Sequence, residues 1–206
     1  MSVLPSGEVA LSTVAQGWWL VADEEAGPGR IVAGPFPDRA EARWAASARG
    51  SGSRDYAWPV YGTRRADGGL SRRPSPEDWS WLAHLGDQLD RLVPEWDASI
   101  SDEDPLTTLV VEVAGALAEA GLTLHDATGE DSELGGACLT PEPGLGGVVV
   151  TWRQHDRMSI EQVAGVAADS LVQQVMNRTL AQILRVRGFV VSEFGGGSGH
   201  VVRAAG

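Results

Sequence analysis

Residues 147–152 of this 206-residue chain read Gly-Val-Val-Val-Thr-Trp, and a long helical pattern follows them from Ser159 to Arg187. The first segment is short, apolar and rich in β-branched residues, which is typical of a buried strand. The helical pattern has Gln162 three residues after its serine, the spacing of a capping box, and Gly188 ends it. A buried strand followed by a long helix predicts a sheet that is covered by helices.

The residues after this helix predict two more strands, at 189–194 and 200–203, joined around the glycine-rich segment 195–199. That segment has the composition of a phosphate loop. It leads into a strand instead of a helix, so we interpret it as a hairpin tip. The helix itself is expected to bury its apolar positions, which are Leu171, Val175, Leu180, Ile183 and Leu184.

Two further helices are predicted upstream. Ser75-Pro76-Glu77-Asp78 combines a capping serine, a proline at the first helical position and acids near the positive end of the dipole. Asp104-Pro105 begins the next helix, which Gly121 ends. The apolar positions expected to be buried are Trp79, Leu82, Leu85, Leu89 and Leu92 in the first helix, which Pro94 stops, and Leu106, Leu109, Val110, Val113 and Leu117 in the second. Short strands at 122–125 and 137–139 complete the order α-α-β-β-β-α-β-β.

The N-terminal part predicts a β-β-α-β module. Segments 18–22 and 30–33 are apolar and separated by turn residues, which predicts a hairpin. Asp38 with Glu41 has the capping-box spacing and predicts a helix to about Ala48, and 56–61 predicts a third strand, held to an edge by Pro59. We predict an α+β fold with this module at 1–62, a linker at 63–75 and, at 76–206, an antiparallel sheet backed by helices.

One short stretch resembles a known family. Arg-Ile-Val-Ala-Gly-Pro-Phe at 30–36, with Ala40 and Ala42 on the following helix, resembles the opening of a SPOR domain, a family that binds septal peptidoglycan. SPOR domains repeat this strand–helix unit, whereas the chain offers it once, so we assign no family. The order of the C-terminal elements also resembles the acidic secretion-chaperone fold, and a likeness of fold carries little information about function.

The composition excludes several chemistries. The chain has no lysine, so Schiff-base catalysis and a P-loop site are excluded, and its all-arginine cations are typical of a GC-rich bacterial genome. Cys138 is the only cysteine, so we expect no internal disulfide and no thiolate metal cluster. The first 17 residues lack the basic segment of a signal peptide. We predict a cytoplasmic protein with no membrane span, no metal and no cofactor.

The charges are unevenly distributed along a chain whose net charge is −12. Residues 30–73 contain nine arginines and four carboxylates. Arginine neutralises phosphates and aromatic rings stack on unpaired bases, so this region predicts a nucleic-acid surface, with a solvated arginine surface as the alternative. The candidate residues are Arg43, Arg54, Arg64, Arg65, Arg72, Arg73 and Trp58.

Residues 92–152 contain twelve carboxylates and no cationic side chain. Their acidic loops predict docking of a basic partner, with solvated, helix-capping loops as the alternative. A calcium loop counted from Asp97 fails because it puts Asp102 where glycine is required. The candidate docking residues are Asp102, Glu103, Asp104, Glu130, Asp131 and Glu133.

Residues 152–157, Trp-Arg-Gln-His-Asp-Arg, form a dense polar cluster where a strand meets a helix. His155 is a candidate general base with Asp156 beside it, although neighbours on an extended chain point to opposite faces. The leading hypothesis is a non-catalytic macromolecular-interaction protein that binds a protein partner or a second copy of itself. Nucleic-acid binding in a mobile-element or phage context is the alternative, and a small enzyme using His155 is the third.

Overall fold

The computed structural model describes residues 15–23, 29–49, 56–93, 101, 103–127, 129, 133–160 and 166–205. The chain divides into two compact units, Met1–Ser80 and Trp81–Gly206. Each unit has its own antiparallel sheet and its own apolar core. The predicted α+β fold class is therefore confirmed.

The N-terminal unit is a sheet with one helix packed on it. Its elements are β1 Gln16–Ala22, β2 Arg30–Phe36, α1 Arg39–Ala48, β3 Ala57–Arg64 and β4 Leu70–Arg72. The strand order is β2-β1-β3-β4, and β1 pairs antiparallel with both β2 and β3. Trp18 and Leu20 of β1 pack with Ala42 of α1 to form the core between sheet and helix.

Residues 63–75, predicted as a linker, contain regular structure. The chain turns after β3 and returns as β4, which pairs with Gly62–Arg64. Asp67 closes the turn, because its Oδ1 accepts the backbone N–H of Gly69 at 2.9 Å and Nε of Arg65 at 3.1 Å. The bond from Gly69 also lowers the pKa of the Asp67 carboxyl. The boundaries of the predicted domains, as units that fold alone, stay a prediction.

The edge position predicted for the third strand is wrong, because β3 lies between β1 and β4. Pro59 is opposite Leu20 of β1. It lies outside the three β3 residues that β4 pairs with. β4 does not extend as far as Pro59, so the missing N–H of the proline leaves no gap in the β3–β4 ladder.

The C-terminal unit is a sheet of order β5-β6-β8-β7 with helices on one face. Its elements are α3 Pro105–Glu119, β5 Gly136–Glu142, β6 Gly147–Arg153, α4 Asp156–Ile160, α5 Val166–Val186, β7 Val190–Phe194 and β8 Gly199–Arg203, and α2 Pro76–Leu89 crosses from one unit to the other. The five apolar positions predicted for α3 are all buried. They pack against Leu180 and Leu184 of α5 and Val150 and Val202 of the sheet.

Three predicted helix starts are confirmed by capping hydrogen bonds. Asp38 Oδ1 accepts from the Glu41 N–H at 2.8 Å, and Asp104 Oδ1 accepts from the Leu106 N–H at 2.8 Å. Ser75 Oγ accepts from the Asp78 N–H, and Asp78 Oδ2 accepts in return from the Ser75 N–H at 2.7 Å. These bonds to Ser75 lower the pKa of the Asp78 carboxyl.

The strand predicted at 122–125 is reduced to a single parallel bridge between Leu124 and Ala137. Side chains of α2 and of the segment that follows it satisfy the backbone of Leu124 instead. Gln88 Oε1 accepts the Leu124 N–H at 2.9 Å, and Arg91 donates to the Leu124 carbonyl at 3.3 Å. These bonds lie on the side of the segment away from β5, because the bridge itself is made by the Thr123 carbonyl and the His125 N–H, which both bond to Ala137.

The apolar stripe predicted for α2 is buried only towards its C-terminal end. Leu85 and Leu89 pack on the core, whereas Trp79 and Leu82 are exposed. The helix also ends at Leu89, before the predicted stop at Pro94, which lies outside the described residues. The single helix predicted from Ser159 to Arg187 is described as α4 and α5, and Gln162 falls between the described segments.

Both edges of the C-terminal sheet carry a feature that occupies or removes a backbone group. On β7, Arg185 donates to the carbonyl of Val191 at 3.3 Å. Val191 is paired with Val202, whose carbonyl faces Gly147 of β6. Alternate residues of an antiparallel strand bond to opposite sides, so the Val191 carbonyl points to the open edge. On β5, Pro141 has no N–H to offer.

Candidate functional site

A polar cleft of about 540 Å³ opens between α5 and the end of the β7–β8 hairpin. We define the polar cleft by the residues that line it, Ser170, Gln173, Gln174, Asn177, Arg178, Glu193, Gly196, Ser198 and His200. The strand residues in this set, Glu193 and His200, lie on the side of the sheet that faces the core. Glu193 is the cross-strand partner of His200, and each lies two residues from an inward valine, Val191 or Val202. The polar cleft is therefore a continuation of the layer between helix and sheet.

Asn177 joins three elements at the floor of the polar cleft. Its side chain is 2% exposed. Oδ1 accepts the Trp152 N–H at 2.7 Å, and Nδ2 donates to the Ser198 carbonyl at 3.0 Å. It thus connects α5 to the end of β6 and to the hairpin, and the second proton on Nδ2 remains to be donated.

His200 is the second buried polar side chain of the polar cleft, at 6% exposed. Within the described residues its Nδ1 has no hydrogen-bond partner. Burial, helped by the nearby Arg185 cation and opposed by Glu193, lowers the pKa of the imidazole below its usual 6.5. A neutral imidazole can donate or accept at Nδ1, so the site holds an unused hydrogen-bonding group.

Two charges of opposite sign stand at the rim of the polar cleft. Arg178 is on α5 and Glu193 is on β7, and both are exposed. Neither forms an ion pair with another residue that the structure describes. The rim therefore offers one cationic and one anionic group, and the floor offers neutral donors and acceptors.

The opposite side of α5 carries aliphatic side chains that face solvent. We call Leu171, Val175, Gln182 and Val186 the outward face of α5. Leu171 is 61% exposed, Val175 is 49% exposed and Val186 is 87% exposed. The prediction that Leu171 and Val175 are buried is therefore wrong. The residues that turn to the sheet are Asn177, Leu180 and Leu184, on the other side of the helix.

The side chains of the predicted enzyme site form a local hydrogen bond and a local ion pair. His155 is half-buried, and its Nδ1 accepts the backbone N–H of Arg157 at 3.1 Å. Asp156 begins α4 and forms an ion pair with Arg153 at 3.2 Å. These contacts belong to a strand-to-helix turn, and a catalytic role for His155 and Asp156 stays a prediction.

The acidic candidates that the structure describes lie in two places. Asp104 caps α3, and Glu103 is exposed just before it. Glu133 is exposed, and its carbonyl accepts the Asp156 N–H at 2.9 Å. The remaining three, Asp102, Glu130 and Asp131, lie outside the described residues. Docking of a basic partner by these residues stays a prediction.

The structure places three of the nucleic-acid candidates on one face of the N-terminal sheet. Trp58 and Arg64 lie on β3 at even spacing, so they share a face. Arg72 is paired with Gly62 and joins the same face, opposite to the one covered by α1. Trp58 is half-buried, and both arginines are exposed. This Trp58–Arg64–Arg72 surface is the part of the predicted nucleic-acid site that the fold assembles.

The other candidates of that set are placed elsewhere. Arg43 is exposed on α1, on the helical side of the sheet. Arg65 pairs with Asp67 at 3.0 Å in the β3–β4 turn. Arg73 is exposed, and its backbone N–H bonds to Tyr61, whose side chain packs on the core under α1. Arg54 lies outside the described residues.

Sequence reasoning missed the polar cleft. Asn177 is the only asparagine in the chain, and it stands three residues before Leu180, where a buried residue belongs. His200 likewise lies two residues before Val202, on the same side of β8. A polar residue at a position that periodicity assigns to the core is the signal that was available, but the pairing of His200 with Glu193 requires the register of the hairpin.

The described residues contain no group of three or more histidine, cysteine or carboxylate side chains arranged to hold a metal. Cys138 is half-buried on β5, and burial raises the pKa of its thiol. None of the described helices is long and apolar enough to cross a membrane. Comparisons with family models, with curated proteins and with solved structures found no match for this chain.

Proposed function

We propose that this chain is a non-catalytic macromolecular-interaction protein that associates with a second copy of itself through the outward face of α5. The observation that carries the proposal is the exposure of Leu171, Val175 and Val186 on one helix. Apolar side chains that stand in line, with nothing in the described residues to cover them, are typical of an association surface. Burying these side chains in a dimer interface would contribute hydrophobic free energy that is absent in the monomer.

The spacing on α5 suits a two-fold contact. Residues 171, 175, 182 and 186 share one face of a helix because they are separated by four, seven and four positions. In an antiparallel pair of α5 helices, Leu171 of one copy meets Val186 of the other, and Val175 meets Gln182. The same patch thus serves both copies, as a two-fold interface requires.

Charge favours this face over others. The chain carries a net charge of −12, so two copies repel each other over most of their surface. Residues 170–186 contain no carboxylate and two arginines, Arg178 and Arg185. Contact along α5 therefore keeps the acidic loops out of the interface. It also brings the two Arg178 side chains close together near the two-fold axis, so salt that screens their repulsion should favour the dimer.

Size-exclusion chromatography with light scattering tests this proposal. We expect the mass of a dimer that persists in high salt, because the contact is apolar. Leu171→Asp combined with Val186→Asp should give a monomer, whereas Val190→Asp, an exposed valine off α5, should leave the dimer intact. A wild-type protein that stays monomeric over a wide concentration range contradicts the proposal, as does a dimer that both variants disrupt equally.

A second candidate function is nucleic-acid binding by the Trp58–Arg64–Arg72 surface. It is supported by the sharing of one sheet face by an aromatic ring and two exposed arginines. Such a combination stacks on bases and neutralises phosphates in single-strand binders. Both candidate functions place the protein in the cytosol, and the single free cysteine supports that location.

Fluorescence anisotropy with a labelled single-stranded oligonucleotide tests this candidate. Arg64→Ala combined with Arg72→Ala should weaken binding and reduce the dependence of log K on log salt concentration by about 2, because two phosphate contacts are lost. Arg43→Ala, an exposed arginine on α1, is the control and should have no effect. Equal losses in both proteins, or no binding at low salt, exclude a specific role for this surface.

A further inference from the structure

We infer that the polar cleft binds a small zwitterion of the free α-amino acid class. The buried floor and Glu193 lie apart from the outward face of α5. Arg178 borders both the cleft and that face, since it is three residues from Val175 and four from Gln182. It rests on the buried floor, the charged rim, and the size and lining of the site.

The floor places two buried polar side chains in a layer that is otherwise apolar. Asn177 and His200 occupy positions that leucine and valine occupy further along the same helix and strand. A buried polar group without a partner is destabilising, so a protein that retains one commonly uses it. Nδ1 of His200 is such a group within the described residues. The atom itself is closed to solvent, so a ligand contacts it when the imidazole turns towards the cleft. The neutral imidazole and the spare proton of Asn177 Nδ2 are suited to a polar, hydrogen-bonding ligand.

The rim determines the charge of that ligand. Arg178 binds a carboxylate well because its guanidinium presents a planar array of donors. Glu193 binds an ammonium group as an ion-pair partner. One cation and one anion on the same cleft match a ligand that carries both charges and has no net charge. A phosphate or a simple polyamine would satisfy one of them and be repelled by the other.

The size and lining narrow the class further. The volume of about 540 Å³ lies in the range typical of small-molecule sites. The residues that line it include no phenylalanine, tyrosine or tryptophan, so there is no aromatic platform for a nucleobase. A free amino acid has the charges, the hydrogen-bonding groups and the dimensions that this site accommodates.

Isothermal titration calorimetry of the full chain with each of the twenty protein amino acids tests the inference. We expect at least one to bind with a Kd between about 1 μM and 1 mM. Its carboxamide and its N-acetyl derivative each lack one charge and should bind about tenfold more weakly, which corresponds to the loss of one ion contact. Absence of binding by every amino acid overturns the inference, as does equal binding of the parent and both derivatives.

Rim variants assign the two charges separately. Arg178→Gln should reduce affinity for the amino acid to that of its carboxamide and leave carboxamide binding unchanged. Glu193→Gln should do the same for the N-acetyl derivative. Both positions are exposed, so the fold is retained. Arg43→Gln changes the net charge of the chain by the same amount as Arg178→Gln, but lies on α1 of the N-terminal unit. An equal loss of affinity in Arg43→Gln shows an effect of net charge and overturns the assignment to Arg178.

Discussion

The two ends of α5 pack on the same sheet and do so with opposite chemistry. Towards its C-terminus, Leu180 and Leu184 contact inward valines such as Val202 and form a dry core. Towards its N-terminus, Asn177 faces His200, and the layer opens into the polar cleft. One continuous helix and one continuous strand thus change from a packing role to a polar site within two turns. The difference teaches that the element boundaries of a fold and the boundaries of its core need not coincide.

The largest expected effect comes from the apolar end. Leu184→Ala removes a side chain with no exposed surface from the centre of the C-terminal core. We expect the free energy of unfolding of this unit to fall by about 2–5 kcal/mol, since transfer and cavity costs add. Urea denaturation followed by circular dichroism measures the change. A loss below that of an exposed position would mean that the apolar end is not the stabilising part of the layer.

The next effect comes from the polar end. Asn177→Ala leaves the Trp152 N–H and the Ser198 carbonyl without their side-chain partner. Stranding such groups costs about 1–3 kcal/mol, so the variant should be less stable than wild type but more stable than Leu184→Ala. The same denaturation series decides the order. If Asn177→Ala equals wild type, its two hydrogen bonds do not hold the hairpin to the helix.

Replacing the unpartnered His200 should raise the free energy of unfolding, whereas the two preceding substitutions should lower it. His200→Leu extends the apolar end by one residue and removes a buried Nδ1 that no described residue pairs with. We expect stability to rise by roughly 1 kcal/mol, because an unpaired polar atom is exchanged for an apolar side chain. Amino acid binding should be lost at the same time. A marked loss of stability would show that His200 is paired in the folded protein and that the contrast between the two ends is smaller than inferred.

The pH dependence of stability tests the lowered pKa of His200 at the polar end of the layer. Burial lowers the pKa of His200 below 6.5 in the folded state, so the unfolded chain takes up this proton first as the pH falls. The folded state should therefore lose stability from about pH 6.5 down to the lowered pKa and change no further through this group below it. Denaturation midpoints at pH 7 and pH 5 should separate more in wild type than in His200→Leu. Equal separation in the two proteins contradicts a lowered pKa.

The smallest effect on stability is expected on the outward face of α5. Val186→Ser changes a side chain that is 87% exposed, so the free energy of unfolding of the monomer should change by no more than about 0.5 kcal/mol. The dimer should nevertheless weaken, as sedimentation or light scattering at low concentration would detect. If dimerisation is unchanged, the association surface does not extend to this end of the helix.

The accuracy of sequence-based prediction in this protein follows the range of the interactions concerned. The starts of α1, α2 and α3 were predictable because each depends on hydrogen bonds within three residues, from Asp38, Ser75 and Asp104. The C-terminal end of α5 was predictable for a similar reason, since Gly188 adopts a positive φ of 95° that favours glycine.

Features that depend on distant residues were not predictable. At 122–125, the Thr123 carbonyl and the His125 N–H bond to Ala137 of β5, whereas the backbone groups of Leu124 bond to Gln88 and Arg91, far back in the chain. The pairing of this segment therefore depends on residues outside it. The polar cleft depends on Glu193 and His200 meeting across a hairpin and on Asn177 reaching the Ser198 carbonyl at the end of that hairpin. Periodicity indicated one buried side of α5, but Leu171 and Val175 lie on the other, because apolar residues occupy both sides of this helix.

The treatment of the sheet edges has a consequence for how the protein behaves in a crowded solution. An open strand edge is a template for another strand, and pairing of that kind leads to aggregation. The Val191 carbonyl of β7 is already bonded to Arg185, and β5 presents Pro141 without an N–H. A strand from a neighbouring molecule therefore has to displace an arginine on one side and to leave a carbonyl unpaired on the other. These features favour contact through side-chain surfaces over growth of the sheet, so the unit can remain concentrated without forming β-type assemblies.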